Sequence, residues 1–321
     1  MLISKNLFKL ARGIKIRFRD SNLVNQFQDQ MSPYLVFGCN MKDELQGTLF
    51  RFPFRNEKTA SASEISKSYW DKRSIGNLLS SFQNVLHKYL LFLRHVKRIE
   101  VYGQGENDDA PNLLYFAEVT ERIGLPIKQQ RPNSSSNNDW NSVSNFITGD
   151  DKKPLSKEGF FSLLQRTTPS RLPKTQHLVK ITFEVVHPKW STMFHVNDEN
   201  LSRKEEIKTS DHKSQTVDEY IICTALGGGN CQKMTLQYKE MKLLPWGGVA
   251  AHIRHNGEFV KTVKSGNAFC FLPLPCETGL NIHVNAYFEL SSNRRDIWYG
   301  GMCFFLNTYI WLNVTILLCI R

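Results

Sequence analysis

His177–His187, HLVKITFEVVH, reads as a strand, and it opens a run of them. Asp218–Leu226 (DEYIICTAL), Gly247–His255 (GGVAAHIRH), Ala268–Leu274 (AFCFLPL) and Ile282–Leu290 (IHVNAYFEL) follow with the same extended character. Strand after strand with few helices between predicts an antiparallel or mixed sheet in an α+β fold. Upstream, Lys97–Tyr102 (KRIEVY) and Leu113–Val119 (LLYFAEV) flank a polar loop and predict a hairpin with a long tip. Ser74–Val96 carries Ile75, Leu78, Phe82, Val85, Leu86 and Leu90 at steps of three and four, the spacing of one helix face.

Further toward the N-terminus, Gly13–Arg19 (GIKIRFR) alternates apolar and basic residues as a half-buried strand does, and Ser21 is placed to cap a short helix. In Gly47–Arg55 (GTLFRFPFR), Phe50, Phe52 and Phe54 share one face of an extended strand and predict a core contribution. Pro53 lacks a backbone donor and confines that strand to an edge or its own end. The Ser/Asn-rich stretch 129–157 predicts a flexible loop, and the charged stretch 198–215 a solvated tip.

A net charge of +11 attracts polyanions without choosing among nucleic acid, acidic lipid and acidic protein. Seven cysteines, an odd number with no CxxC, fit neither a zinc ribbon nor a disulfide framework, and they predict reduced thiols in a cytosolic or nuclear setting. His252 and His255 lie three apart in a predicted strand, so alternation sends them to opposite faces and no shared metal is expected. GxSxG, HExxH and P-loop patterns do not occur. Gly227–Gly229 lacks the lysine and the expected strand–helix setting of a phosphate loop and predicts a turn between strands. Arg294 and Arg295 sit in a polar loop after a strand; they suit a phosphate, or an ordinary surface pairing with Asp296 or Glu289. Met302–Ile320 has no charged residue and approaches the roughly 20 residues of a bilayer crossing, although Asn307, Thr308, Asn313 and Thr315 weaken it. A membrane tail anchor and a buried core segment are both open readings of it.

Several blocks in order resemble the sacsin family: GIKIRF, DQMSPYLVFGCNM, GTLFRFPFRNE, LLFLRHVKRIEVY, GGVAAHI, AFCFLPLPCETGL and HVNAYFELSSNRRDIWYG, together spanning about Ala11 to Gly300. The family is built from repeats that open with an ATP-binding fold like that of the ninety-kilodalton heat-shock chaperone, a GHKL-type ATPase. The resemblance implies that Gly47 and Thr48 are a residual nucleotide-site motif, and that Arg294 or Arg295 is a candidate phosphate-contacting, catalytic arginine. It divides the chain into a leader (1–10), the C-terminal part of a GHKL-type domain (11–128), the flexible loop (129–157), a following mixed sheet domain (158–301) and the apolar tail (302–321).

The glutamate, magnesium-holding asparagine, DxGxG loop and glycine-rich lid of a complete GHKL site do not occur before Gly47. The expectation is therefore a sacsin-like chaperone fragment, a truncated or misjoined repeat, that binds proteins and neither binds nor hydrolyses ATP alone. ATP and magnesium would belong only to a complete repeat, and no metal is expected. Seventy-kilodalton heat-shock chaperones and protein clients are the implied partners, although no HPD motif of a J-domain occurs here. The cytoplasm is the implied compartment, with a tail-anchored membrane protein as the alternative. Two other readings stand beside it: half of an ATPase completed in trans by another chain, and a basic nucleic-acid binder using the Phe/Arg alternation of LFRFPFR.

Overall fold

A computed structural model describes residues 2–3, 21–28, 34–37, 39–40, 43, 45–50, 52, 54–93, 95–105, 108–126, 157–169, 172, 174–188, 190–194, 214–239, 245–261, 265–293 and 296–297. Its strands are β1 (Leu2–Ile3), β2 (Leu49–Phe50), β3 (Arg98–Gly103), β4 (Asn112–Gly124), β5 (Lys174–Val185), β6 (Ser214–Leu226), β7 (Trp246–His255), β8 (Glu258–Phe259), β9 (Asn267–Cys270), β10 (Leu272–Glu277) and β11 (His283–Ala286). Its helices are α1 (Ser21–Gln26), α2 (Glu57–Ser61), α3 (Lys72–Tyr89), α4 (Lys157–Arg166), α5 (Trp190–Met193) and α6 (Asn230–Gln237).

One nine-stranded sheet dominates, in the order β10-β9-β11-β7-β6-β5-β4-β3, with β8 added to β7. All its neighbours are antiparallel except β9 and β11, which run parallel. The fold is α+β, as the succession of strands predicts. The opening stretch forms β5 and pairs with β6 from Lys174 opposite Ala225 to Val185 opposite Ser214. β4 and β5, on either side of residues 129–157, pair directly, so the sheet is continuous across that stretch.

Alternation places Val179, Ile181, Phe183 and Val185 of β5 on one face, all buried. α3 packs there through Leu86 and adjoining Leu90, meeting Leu114, Tyr220, Ile222 and Ala250. Tyr115 ties helix to sheet by donating its hydroxyl to the Leu79 carbonyl at 2.7 Å. Asp71 caps α3 by accepting from the Ser74 N–H at 2.7 Å. The helix stops at Tyr89, short of the Val96 suggested by its pattern. The reason is local: Leu90, Leu91 and Phe92 are all buried, and three consecutive residues cannot share one helix stripe.

The opposite face carries a second core, in which Val249, Ala268, Val284 and Ala286 meet Cys231 of α6. Val249 and Ala250 are neighbours on β7 and serve the two different cores, as a strand's period requires. Burial also pushes the Cys231 thiol up to about 12. Iodoacetamide near neutral pH should therefore modify the half-exposed Cys276 in the folded chain and reach Cys231 only on unfolding. Equal labelling of both cysteines in the folded state, read by peptide mass spectrometry, would contradict this placement.

Three sequence expectations change. AFCFLPL is two strands, because the chain reverses at Phe271, which sits at φ 64°. Its ring is stacked 5.7 Å from that of Trp246, and Asn285 Oδ1 accepts its N–H at 2.7 Å. Gly227–Gly229 does lie between a strand and a helix, β6 and α6. That loop is nevertheless filled: a Cβ on Gly228 would stand 2.7 Å from Pro169 Cβ. Finally, Phe50, Phe52 and Phe54 are not core. They are 54%, 77% and 51% exposed; among the described residues β2 covers Leu49–Phe50 and pairs with β1 alone. Phe50 and Phe52 do share a side, with rings 6.2 Å apart. The predicted strand at Gly13–Arg19, the stretch 198–213 and the tail 302–321 lie outside the described residues. No helix among the described residues is long and apolar enough to cross a membrane.

Candidate functional site

Gly47, at φ 139°, and Thr48 are exposed and lead into β2. Arg294 and Arg295 lie outside the described residues, but their loop is closed at its base. Leu290 bridges to Ile297, and the Ser291 N–H donates to the Asp296 carbonyl at 2.9 Å. Between Phe50 and Trp70, several large apolar side chains stand exposed among polar and charged residues: besides the three phenylalanines, Ile65 is 89% exposed, and Tyr69 and Trp70 are also open. Phe54 lies against Trp70, ring centroids 5.0 Å apart.

A second site lies where strand alternation is broken, which the alternating sequence pattern does not reveal. Along β6 and β7, Asp218 faces His255 and Glu219 faces Arg254, but Tyr220 faces His252. Ile253 is therefore an extra residue, a β-bulge, and its carbonyl accepts instead from the Val260 N–H at 3.0 Å. The bulge turns His255 to the same side as His252, so the expected opposite faces do not occur. Both rings meet Asp218, which is 1% exposed: its Oδ1 lies 2.7 Å from His255 Nδ1 and 2.9 Å from His252 Nε2.

The signal that would have found this arrangement is Asn256–Gly257, immediately after HIRH. Both residues have positive φ, 51° and 84°, as a tight hairpin turn demands. Asn256 also clasps β6: its N–H donates to the Val217 carbonyl at 2.7 Å, and its Oδ1 accepts the Val217 N–H at 2.8 Å. This double bond sets Asp218 beside His255. Tyr220 stacks on His252 with centroids 4.6 Å apart. On the other face the sheet carries a row of ion pairs across β4 to β7, with Lys180 of β5 2.7 Å from Glu121 of β4 and Arg254 of β7 3.5 Å from Glu219 of β6.

Burial alone would raise the Asp218 carboxyl. The close His252 nitrogen, the charge of His87 on α3 and the His255 hydrogen bond outweigh it and hold the group well below the usual carboxylate range. Beyond Tyr220, His283 is buried and accepts the Asn267 N–H on Nδ1 at 3.0 Å. Burial, Lys88 and His252 push its pKa down to about 4, so that ring is neutral. Two buried atoms of the cluster make no hydrogen bond: Asp218 Oδ2, and His252 Nε2, whose 2.9 Å approach to Asp218 lacks the required angle. The arrangement supplies a fixed anion and two imidazoles, a set able to hold a cation or relay a proton.

Residues 3–116 match the Sacsin domain model. The chain is 26% identical to human Sacsin over 92% of its own length, which is 7% of that protein. No solved structure matches it. With a Sacsin domain match over residues 3–116 and a likeness to human Sacsin running through nearly all of it, the chain is similar to the sacsin family.

Proposed function

We propose that this chain acts by binding proteins, as a chaperone-type module, and does not by itself bind or hydrolyse ATP. The supporting observation is the aromatic surface between Phe50 and Trp70, inside the stretch that matches the Sacsin domain. Large apolar side chains left open along one segment suit an extended apolar stretch of a client protein. The net charge of +11 favours clients whose apolar stretch is flanked by acidic residues. Seventy-kilodalton heat-shock chaperones are the proposed co-workers, by family likeness. Among the described residues, Cys39, Cys223, Cys231, Cys270 and Cys276 form no disulfide, which accords with a cytoplasmic setting.

A second reading, half of an ATPase completed by another chain, is favoured by the exposure of Gly47 and Thr48. In it, residues 11–128 are the C-terminal part of a GHKL-type domain, and Arg294 or Arg295 reaches the phosphate.

The test is fluorescence anisotropy with a labelled, reduced and carboxymethylated acidic protein, which stays unfolded. Phe52→Ser should weaken binding about tenfold and leave the melting temperature nearly unchanged, because that ring is 77% exposed. Absence of binding by the unaltered chain would sink the reading. Stoichiometric micromolar ATP binding in a parallel calorimetric titration would favour the ATPase half. Salt-dependent binding of a single-stranded oligonucleotide, lost with Phe52→Ser, would favour nucleic acid.

A further inference from the structure

We propose that Asp218, His252 and His255 form a binding site for a divalent metal of the zinc class. Among the described residues they are the group whose donor atoms converge, all lying within 4.8 Å of one another. Two imidazole nitrogens and one carboxylate oxygen suit zinc or cobalt. Calcium takes six to eight oxygen ligands and magnesium an octahedron rich in water, and neither describes this set.

Dimensions agree with the assignment. Tetrahedral zinc with bonds near 2.0 Å holds its ligand atoms about 3.3 Å apart. The two close pairs stand at 2.7 and 2.9 Å, so each opens by roughly half an ångström, within the reach of small ring rotations. A hydrogen-bonded ion cluster with no further role would be expected to satisfy its buried atoms. Here Asp218 Oδ2 and His252 Nε2 are left over, and a cation held through Asp218 Oδ1 and the two imidazoles takes up the His252 nitrogen.

The surroundings hold the donors in place. The Asn256 clasp on Val217 fixes the strand register at Asp218, and the Tyr220 ring lies against one face of His252. Zinc ligands in proteins are commonly oriented by contacts of this second kind. Access exists as well, since the His252 and His255 side chains are 25% and 30% exposed while Asp218 is closed off. Three protein ligands leave a fourth position for water or for a side chain of a bound partner.

The experiment uses the full chain, stripped with a chelator and titrated with Zn²⁺ by calorimetry and with Co²⁺ by visible absorption. The expected result is one equivalent bound, with a cobalt spectrum of nitrogen and oxygen ligation and no thiolate charge-transfer band. His255→Ala should lower the affinity at least about 100-fold, and zinc should then no longer raise the melting temperature. His255 is partly exposed, so this variant is chosen over Asp218→Ala, which is expected to compromise folding. Circular dichroism of the metal-free variant checks that the fold is kept, and His252→Ala repeats the measurement from the second ligand. Failure of the unaltered chain to bind either metal, retention of wild-type affinity by both folded variants, or a thiolate band would each overturn the proposal. None of these outcomes depends on whether client proteins bind.

Discussion

Asp218→Ala should destabilise the folded chain by about 3 kcal/mol, read as a lower urea midpoint at unchanged slope. The carboxylate is 1% exposed and close to two imidazoles, and His87 adds charge from the helix above. Removing it leaves the His255 Nδ1 and His252 Nε2 atoms facing a void of low dielectric. Asp218→Asn preserves the shape and one acceptor, and should lose less than half as much. A domain of ordinary stability has only about 5–15 kcal/mol in hand, so the alanine variant is also expected to express poorly. A change under about 1 kcal/mol for Asp218→Ala would mean that the cluster is not buried as described.

Gly266→Ala should cost at least as much, for a reason of pure geometry. A Cβ there would overlap the backbone carbonyl of Ile282, and no side-chain rotation relieves a clash with backbone. The backbone is held on both sides: the Gly266 N–H donates to the Leu280 carbonyl at 2.7 Å, and its carbonyl accepts from the Thr278 N–H at 2.8 Å. Thr278 Oγ1, buried itself, lies 2.9 Å from the Ile282 carbonyl and braces the same turn. The expected loss is about 3 kcal/mol or more, with β9 and β11 forced apart. Gly124→Ala is the control. It sits at the end of β4 with open space where the methyl would go, and should change stability by no more than about 0.5 kcal/mol. Equal effects of the two substitutions would refute the close approach of residues 266 and 282.

The large sheet was legible because its strands announce themselves by alternation: β5 buries Val179, Ile181, Phe183 and Val185, as HLVKITFEVVH implies. The β3–β4 hairpin and α3 were legible for the same reason, periodicity sustained over enough residues to outweigh local exceptions. What was not legible were departures from period. Phe271 reverses a chain that reads as one strand, because Asn285 and Trp246, distant in sequence, hold its backbone and ring. Ile253 shifts β7 by one position, and that single residue decides whether His252 and His255 meet. Phe50, Phe52 and Phe54 show the complementary failure: Phe50 and Phe52 do share a side, but pattern alone does not say whether anything packs on it. Gly47 and Thr48 came from family likeness rather than from spacing, and Arg294 and Arg295, read first from their polar loop, lie outside the described residues.

The order of the strands also bears on how the chain acquires its shape. β4 finds β5 across residues 125–173, and β5 finds β6 across 186–213, so the centre of the sheet is stitched from distant segments. Each such closure loses chain entropy before any contact repays it, and sheets dominated by distant pairs form in milliseconds to seconds. The turn at Asn256–Gly257 needs no such search and joins β7 to β8 directly. The local β7–β8 hairpin, which carries His255, is expected to form first. Asp218 arrives with β6, when the register is set. A stopped-flow probe of the cluster would see the hairpin formed first and the Asp218 carboxylate placed last.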